Sequence, residues 1–177
     1  MKKSIFTLLM TAVLISCNST AKIEVNTLRS IGFEIEDDGS KTPLYSGDMS
    51  NAAIWETYIN AHNERDLETI ERLNAEEGFK AYAPNGQVIE GSEAHIVFLT
   101  NWFADADPKW KTGYLIENEF TNKKGELRQY VTSGHELTLT VDGKEVKLGQ
   151  VHDALIKNGK IQKFYVTERV LAADEME

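Results

Sequence analysis

His135 and His152 are the residues whose types and spacing most clearly allow chemistry. Each sits in a stretch where apolar and polar residues alternate, on the apolar phase of that alternation. Asp142-Gly143 between them reads as a tight hairpin turn. Each histidine lies roughly eight residues from that turn, so pairing the two strands makes them cross-strand or diagonal neighbours within about 5–8 Å. Two imidazoles inside one cavity could share a proton, bind a carboxylate or coordinate a metal. The commoner state of such residues is a hydrogen-bonded pair that lends polarity to a pocket wall. A metal needs a third ligand, for which Glu168, on the face of Phe164 and Val166, is the candidate. There is no His-x-His or His-Glu-x-x-His spacing, and no metal is expected. Asp153 follows His152 and so faces the other side of its strand. His62 and His95 fall at helix edges and are expected at the surface or as caps. The single cysteine, Cys17, excludes an intramolecular disulfide and any multi-cysteine metal cluster. No glycine-rich dinucleotide loop, phosphate loop, nucleophile elbow or Cys–His pair is present, so no cofactor is expected.

The elements that must position these residues follow from length and periodicity. The chain has 177 residues, with 19 Lys and Arg against 28 Asp and Glu, a formal net charge of −9. That length suits one domain, and a 41% apolar content can fill its core. The acidic balance argues against nucleic acid, which needs a concentrated basic surface.

Ile54, Trp55, Tyr58, Ile59 and His62 fall at helical spacing after the capping candidates Asp48 and Ser50. Asp66 can cap a second, shorter helix carrying Leu67, Ile70 and Leu73. Phe79 to Ala83 reads as a short strand ended by the turn Pro84-Asn85-Gly86. Ile96, Leu99, Trp102 and Phe103 mark a third helix that stops before Pro108. The period then changes to two. Trp110, Thr112, Tyr114, Ile116, Asn118 and Phe120 are expected on one face of a strand, with Glu117 and Glu119 opposite and solvated. Leu127, Gln129, Val131, Ser133, His135, Leu137 and Leu139 share a face of the next. Val146, Leu148, Gln150, His152, Ala154 and Ile156 alternate along a third. Asn158-Gly159 turns into a last strand carrying Phe164, Val166 and Val170. Three helices and a short strand followed by four long strands make an α+β domain. Its sheet is expected to curl around the helices and enclose a pocket, with Trp55, Tyr58, Tyr82, Phe98, Trp102, Trp110 and Tyr114 as aromatic lining and Gln129, Gln150, His135 and His152 as polar lining.

The N-terminus reads as an address. Lys2 and Lys3 precede a mostly apolar run, Ile5 to Ile15, too short to span a bilayer. Leu14-Ile15-Ser16-Cys17 follows and resembles the bacterial lipobox. The resemblance implies that residues 1–16 are a lipoprotein signal peptide, that cleavage precedes Cys17, and that Cys17 is lipidated and holds the chain on a membrane. Asn18, not Asp, after Cys17 points to the outer membrane, facing the periplasm. Residues 17–47 then read as a tether, where Ile31, Phe33 and Ile35 permit one short edge strand. Residues 48–170 read as the folded domain and 171–177 as an acidic tail.

Three stretches resemble the nuclear-transport-factor-2-like superfamily, in its SnoaL-like and ketosteroid-isomerase-like branches. Tyr58-Ile-Asn-Ala-His-Asn-Glu-Arg-Asp66 is similar to the family's first helix and its Asn-x-x-Asp junction. Gly91-Ser-Glu-Ala-His-Ile96 resembles its Gly-x-x-Ala-Ile step. Gly149 to Glu168, with Asn158-Gly-Lys-Ile161, resembles its closing hairpin. The resemblance implies a cone-shaped, mostly antiparallel sheet wrapped on three N-terminal helices, with a pocket at the open end, in a protein that is commonly a homodimer. Tyr58 falls where the isomerase branch has its oxyanion-donating Tyr, and His152 falls within one position of its protonated acid donor. The isomerase general base is replaced by Ala83, which disfavours proton abstraction from carbon. The expected function is therefore a lipid-anchored domain binding a small amphipathic or aromatic molecule. One alternative is an isomerase, cyclase or dehydratase using His135 or His152 as acid/base and Tyr58 as donor. The other is an assembly domain that dimerises through its sheet with its cavity plugged.

Overall fold

The computed structural model describes residues 29–175. The expected signal peptide, the lipobox-like stretch with Cys17 and the first part of the expected tether lie outside the described residues. The described chain runs β1 (Ser30–Ile35), β2 (Lys41–Ser46), α1 (Ser50–Glu64), α2 (Leu67–Leu73), β3 (Lys80–Tyr82), β4 (Val88–Glu90), α3 (Ser92–Ala106), β5 (Lys109–Thr121), β6 (Leu127–Val141), β7 (Lys144–Lys157) and β8 (Lys160–Val170). A short 3₁₀ turn, Ala173–Glu175, follows. No helix of the described residues is long and apolar enough to cross a membrane.

One curved, unclosed eight-stranded sheet has the order β1-β2-β5-β6-β7-β8-β3-β4. Every pairing is antiparallel except β3 with β8. The three helices lie on its inner face. Asp66 caps α2 as its side chain accepts from the Thr69 N–H at 2.9 Å. Arg65 and Asp107 end α1 and α3 in the left-handed conformation. The core sits between helices and sheet around Trp55, Tyr58, Ile70, Leu99, Val131 and Ile161.

The structure differs from the sequence reading in three places. First, more short strands form than expected. Residues 30–46 make the hairpin β1–β2, added to the edge at β5, where at most one edge strand was expected. Val88–Glu90 returns across the Pro84-Asn85-Gly86 turn to pair with β3.

Second, β5 carries a bulge between Thr112 and Tyr114, at Gly113. The extra residue reverses the alternation beyond it. Trp110 stays inside, but Tyr114 and Ile116 turn to the outer face, where they are 47% and 50% exposed. The Tyr114 ring lies over Gly134, where a Cβ would stand 2.2 Å from it. Glu117, expected in solvent, is turned inward and buried.

Third, His62 and His95 are buried, not at the surface. His62 lies one helical turn past Tyr58, on the face of Trp55. His95 lies one turn before Leu99, on the face of Trp102. The helical spacing that buries the aromatics buries these histidines with them.

Candidate functional site: an aromatic cavity with a histidine wall

A cavity of about 500 Å³ opens between the helices and the inner face of the sheet. Trp55 and Tyr58 of α1, Phe98 and Trp102 of α3 and Trp110 of β5 supply most of its apolar wall. The rings pack on one another, Phe98 to Trp102 at 5.7 Å and Trp102 to Trp110 at 5.5 Å between centroids. Leu139, Leu148, Phe164 and Val166 complete the sheet side. Ala83 and Pro84 border it.

The register of β6 and β7 sets the histidine pair. Ser133 stands opposite His152, and His135 opposite Gln150. The two imidazoles are therefore diagonal neighbours, with centroids 4.5 Å apart. Of the two, His152 lines the main cavity. His135 lies behind it, bordering a separate depression of about 510 Å³ with Tyr114, Gly134 and Arg169. His135 is held by Ser133 Oγ at 2.7 Å and Thr112 Oγ1 at 3.2 Å. Ser133 also accepts from the Trp55 indole N–H at 2.8 Å.

A chain of hydrogen bonds fixes the state of His152. The Trp110 indole N–H can only donate, and it points at Gln150 Oε1 from 2.9 Å. The Glu168 carboxylate can only accept, and it receives Gln150 Nε2 at 2.7 Å. Both neighbours agree on which end of the Gln150 amide is oxygen. That oxygen accepts from His152 Nε2 at 2.9 Å, so the ring proton must sit on Nε2. His152 Nδ1 is then a bare lone pair. Among the described residues it is the buried side-chain polar atom left without a hydrogen-bond partner.

The second histidine group lies across the cavity. His62 Nδ1 is 2.7 Å from the Tyr58 carbonyl oxygen, which makes Nδ1 the donor and leaves Nε2 as an acceptor. Tyr58 itself donates to Asn74 Oδ1 at 2.7 Å, deep in the core. Its hydroxyl proton is thus committed within the protein. His95 Nδ1 is 3.4 Å from both Tyr58 Oη and Asn74 Nδ2, a weak contact.

Burial keeps all four imidazoles neutral. It lowers His62 to about 4, opposed by its bond to the Tyr58 carbonyl and helped by the nearby Arg65 charge. It lowers His95 to about 3, with His62 adding to the effect. His135 falls to about 4 by burial. His152 is pushed well below the usual histidine value, by burial first and then by His135 and His62. Burial likewise raises Tyr58 well above the usual tyrosine value. With the histidines neutral, Glu168 is the charged residue on the cavity wall, and no Lys or Arg lines it.

The expected lining residues divide accordingly. Trp55, Tyr58, Phe98, Trp102, Gln150 and His152 meet in the cavity. Tyr82 borders it, but its ring stacks on Tyr165 at 4.5 Å, beside the inward Phe164. Tyr114 does not reach it, because of the bulge at Gly113. Gln129 is spent on Glu119 at the far end of β5 and β6. His62, His95, Asn85 and Gln87 are polar lining residues that the sequence reading left out. Glu168 joins Gln150, not the histidine pair, and no three His, Cys, Asp or Glu among the described residues are grouped to hold a metal ion.

No protein-family model matches the sequence, and no curated protein sequence matches it either. Solved structures do match. An LEH-like epoxide hydrolase of Mycobacterium tuberculosis superposes with a TM-score of 0.54 at 13% identity, over 66% of this chain and 80% of its own. A SnoaL-like polyketide cyclase candidate of Jannaschia sp. CCS1 gives 0.53 at 15%, over 67% and 84%. An NTF2-like protein of unknown function from Burkholderia pseudomallei gives 0.51 at 19%, over 71% and 94%. At these identities the likeness is one of fold. The curved sheet, the three helices on its inner face and these neighbours together establish that the chain has the α+β cone fold of nuclear-transport-factor-2-like and SnoaL-like proteins.

Proposed function

We propose that the chain is a lipid-anchored binding domain whose cone cavity holds a small, mostly apolar molecule, aromatic or amphipathic. One observation carries this reading. The space of about 500 Å³ is walled by aromatics and a few convergent polar groups, and the chain's own side chains do not fill it. Such a cavity is the usual form of a small-molecule site. An assembly domain would need no cavity and would be expected to plug it. The structural neighbours differ in activity, so the shared fold does not choose among them. The anchor rests on the lipobox alone. It predicts that the full chain partitions with membranes and that Cys17→Ala releases it. A homodimer is compatible with this reading.

All three tryptophans border the cavity, so their emission reports its occupancy. Screening the full chain against small aromatic and alicyclic alcohols, amines, ethers and acids tests the reading. A ligand at a hundred times its Kd stabilises the domain by about 2.7 kcal/mol. Val166→Phe fills the cavity from β8, and binding should vanish with the fold intact. Absence of any ligand across the panel would sink the reading.

A second reading has its own observation, the unpartnered Nδ1 of His152, which could take a proton from a bound substrate. Against it stand Ala83 at the base position and the burial that weakens His152 as a base. Turnover that disappears in His152→Ala would establish it.

A further inference from the structure

We infer that the cavity selects a ligand whose headgroup donates a hydrogen bond, an O–H or N–H on an apolar body, and that this headgroup seats on His152 Nδ1. The inference rests on the cavity being the binding site and names what it takes.

The donors packed around His152 are already spent on the protein. Trp55 donates to Ser133, Trp110 to Gln150, and Tyr58 to Asn74. The ring's own Nε2–H goes to Gln150. What remains unmet is an acceptor, Nδ1 of a residue 4% exposed. A buried acceptor without a partner is costly, and a ligand O–H or N–H relieves that cost. His62 Nε2 offers a second acceptor across the same cavity. An anion meets the opposite situation. No Lys or Arg lines the cavity, and the Glu168 carboxylate repels it. At His152 Nδ1 a carboxylate or phosphate brings only another acceptor.

Gln150 is the positioning residue in this scheme. Clamped between Trp110 and Glu168, it holds the His152 proton on Nε2 and so keeps Nδ1 an acceptor. Without that clamp the ring is free to carry its proton on either nitrogen.

Four probes with one apolar body and different headgroups test this: 2-naphthol, 2-naphthylmethylamine, 2-methoxynaphthalene and 2-naphthoate, titrated calorimetrically into the full chain near neutral pH. The naphthol or the amine should bind about tenfold or more tighter than the methoxy ether, with the carboxylate weakest. An amine tighter than the naphthol identifies an ammonium headgroup balanced by Glu168, and the reverse order identifies a hydroxyl. His152→Phe keeps the ring and removes the acceptor, so naphthol and ether should converge to within about twofold. Gln150→Leu, with the imidazole intact, should narrow the gap between naphthol and ether, whereas a merely structural Gln150 would weaken all four probes together. That second variant keeps the test decisive if His152→Phe does not fold. Measurable binding with no preference among headgroups, or a preference that survives both substitutions, overturns the donor class and leaves the cavity reading standing. No binding by any probe removes both.

Discussion

Glu117 and Asn51 close the N-terminus of α1 from a strand far along the chain. The Glu117 carboxylate accepts from the backbone N–H groups of Asn51 and Ala52 at 3.0 and 3.1 Å, and from the Asn51 side-chain amide at 2.9 Å. First-turn N–H groups have no partner inside their own helix, and a negative charge there is favoured by the helix dipole. A 2% exposed carboxylate at this point is fully engaged. Glu117→Ala should therefore destabilise the domain by about 1–3 kcal/mol, read as a fall in denaturation midpoint at constant slope. A change under about 0.5 kcal/mol would mean that the cap contributes little.

The same cap predicts an effect at Gly47. A Cβ there would stand 2.5 Å from Glu117 Oε1 and Cγ, and the Glu117 side chain is tied down by three hydrogen bonds. Gly47→Ala should cost about 1–3 kcal/mol. Combined with Glu117→Ala it should cost little more than Glu117→Ala alone, because the clash partner is gone. Simple additivity in the double mutant would refute the link.

Much of this arrangement was legible in the sequence, and the exceptions share a cause. The diagonal meeting of His135 and His152 follows from the Asp142-Gly143 turn and period-two counting, because tight hairpins leave no freedom of register. Glu117 was misplaced because one residue, Gly113, inserts a bulge, and counting by two carries the wrong phase to every residue after it. The same slip placed Tyr114 in the cavity. His62 and His95 were misplaced for another reason. Their spacing matched the buried faces of α1 and α3, but polarity was weighed above position. The hairpin β1–β2 announced itself only as the alternation of Ile31, Phe33 and Ile35 and a turn at Asp38-Gly39. Its partner strand contains Pro43, which a lone reading of β2 counts against. The open acceptor on His152 was beyond the sequence, since it depends on four side chains from three strands meeting at hydrogen-bond distance.

Tyr58→Phe separates a structural hydroxyl from a ligand donor. It leaves Asn74 Oδ1 without its 2.7 Å partner in a site where Asn74 is 1% exposed. Stability should fall by about 1–3 kcal/mol, while the preference among naphthalene headgroups should not change. A lost preference with unchanged stability would return Tyr58 to the ligand.

The histidines make stability pH-dependent in one direction. Their folded values lie below the ordinary 6.5, with His62 and His135 at about 4 and His95 at about 3. The unfolded chain thus binds more protons between those values, and stability rises with pH across that window. It is complete above about 6.5 and lost as the pH falls toward about 4. For His62 alone the loss is on the order of 3 kcal/mol. Melting temperatures measured from pH 7 down to 4 should fall steeply, and His62→Phe should flatten the fall. An equal slope in that variant would exclude His62 as a contributor.

The parallel pairing of β3 with β8 has a consequence for how the molecule comes into being. β3 and β4 precede α3, yet their only neighbour in the sheet is β8, the last of the described strands. A ribosome that has delivered everything up to residue 159 has therefore made both helical walls of the cavity and a pair of short strands whose sheet neighbour is still missing. Contacts this distant in sequence close slowly. The emerging chain exposes its tryptophan-lined interior until the final strand arrives, and a binding partner present at that moment meets an open bowl, not a cone.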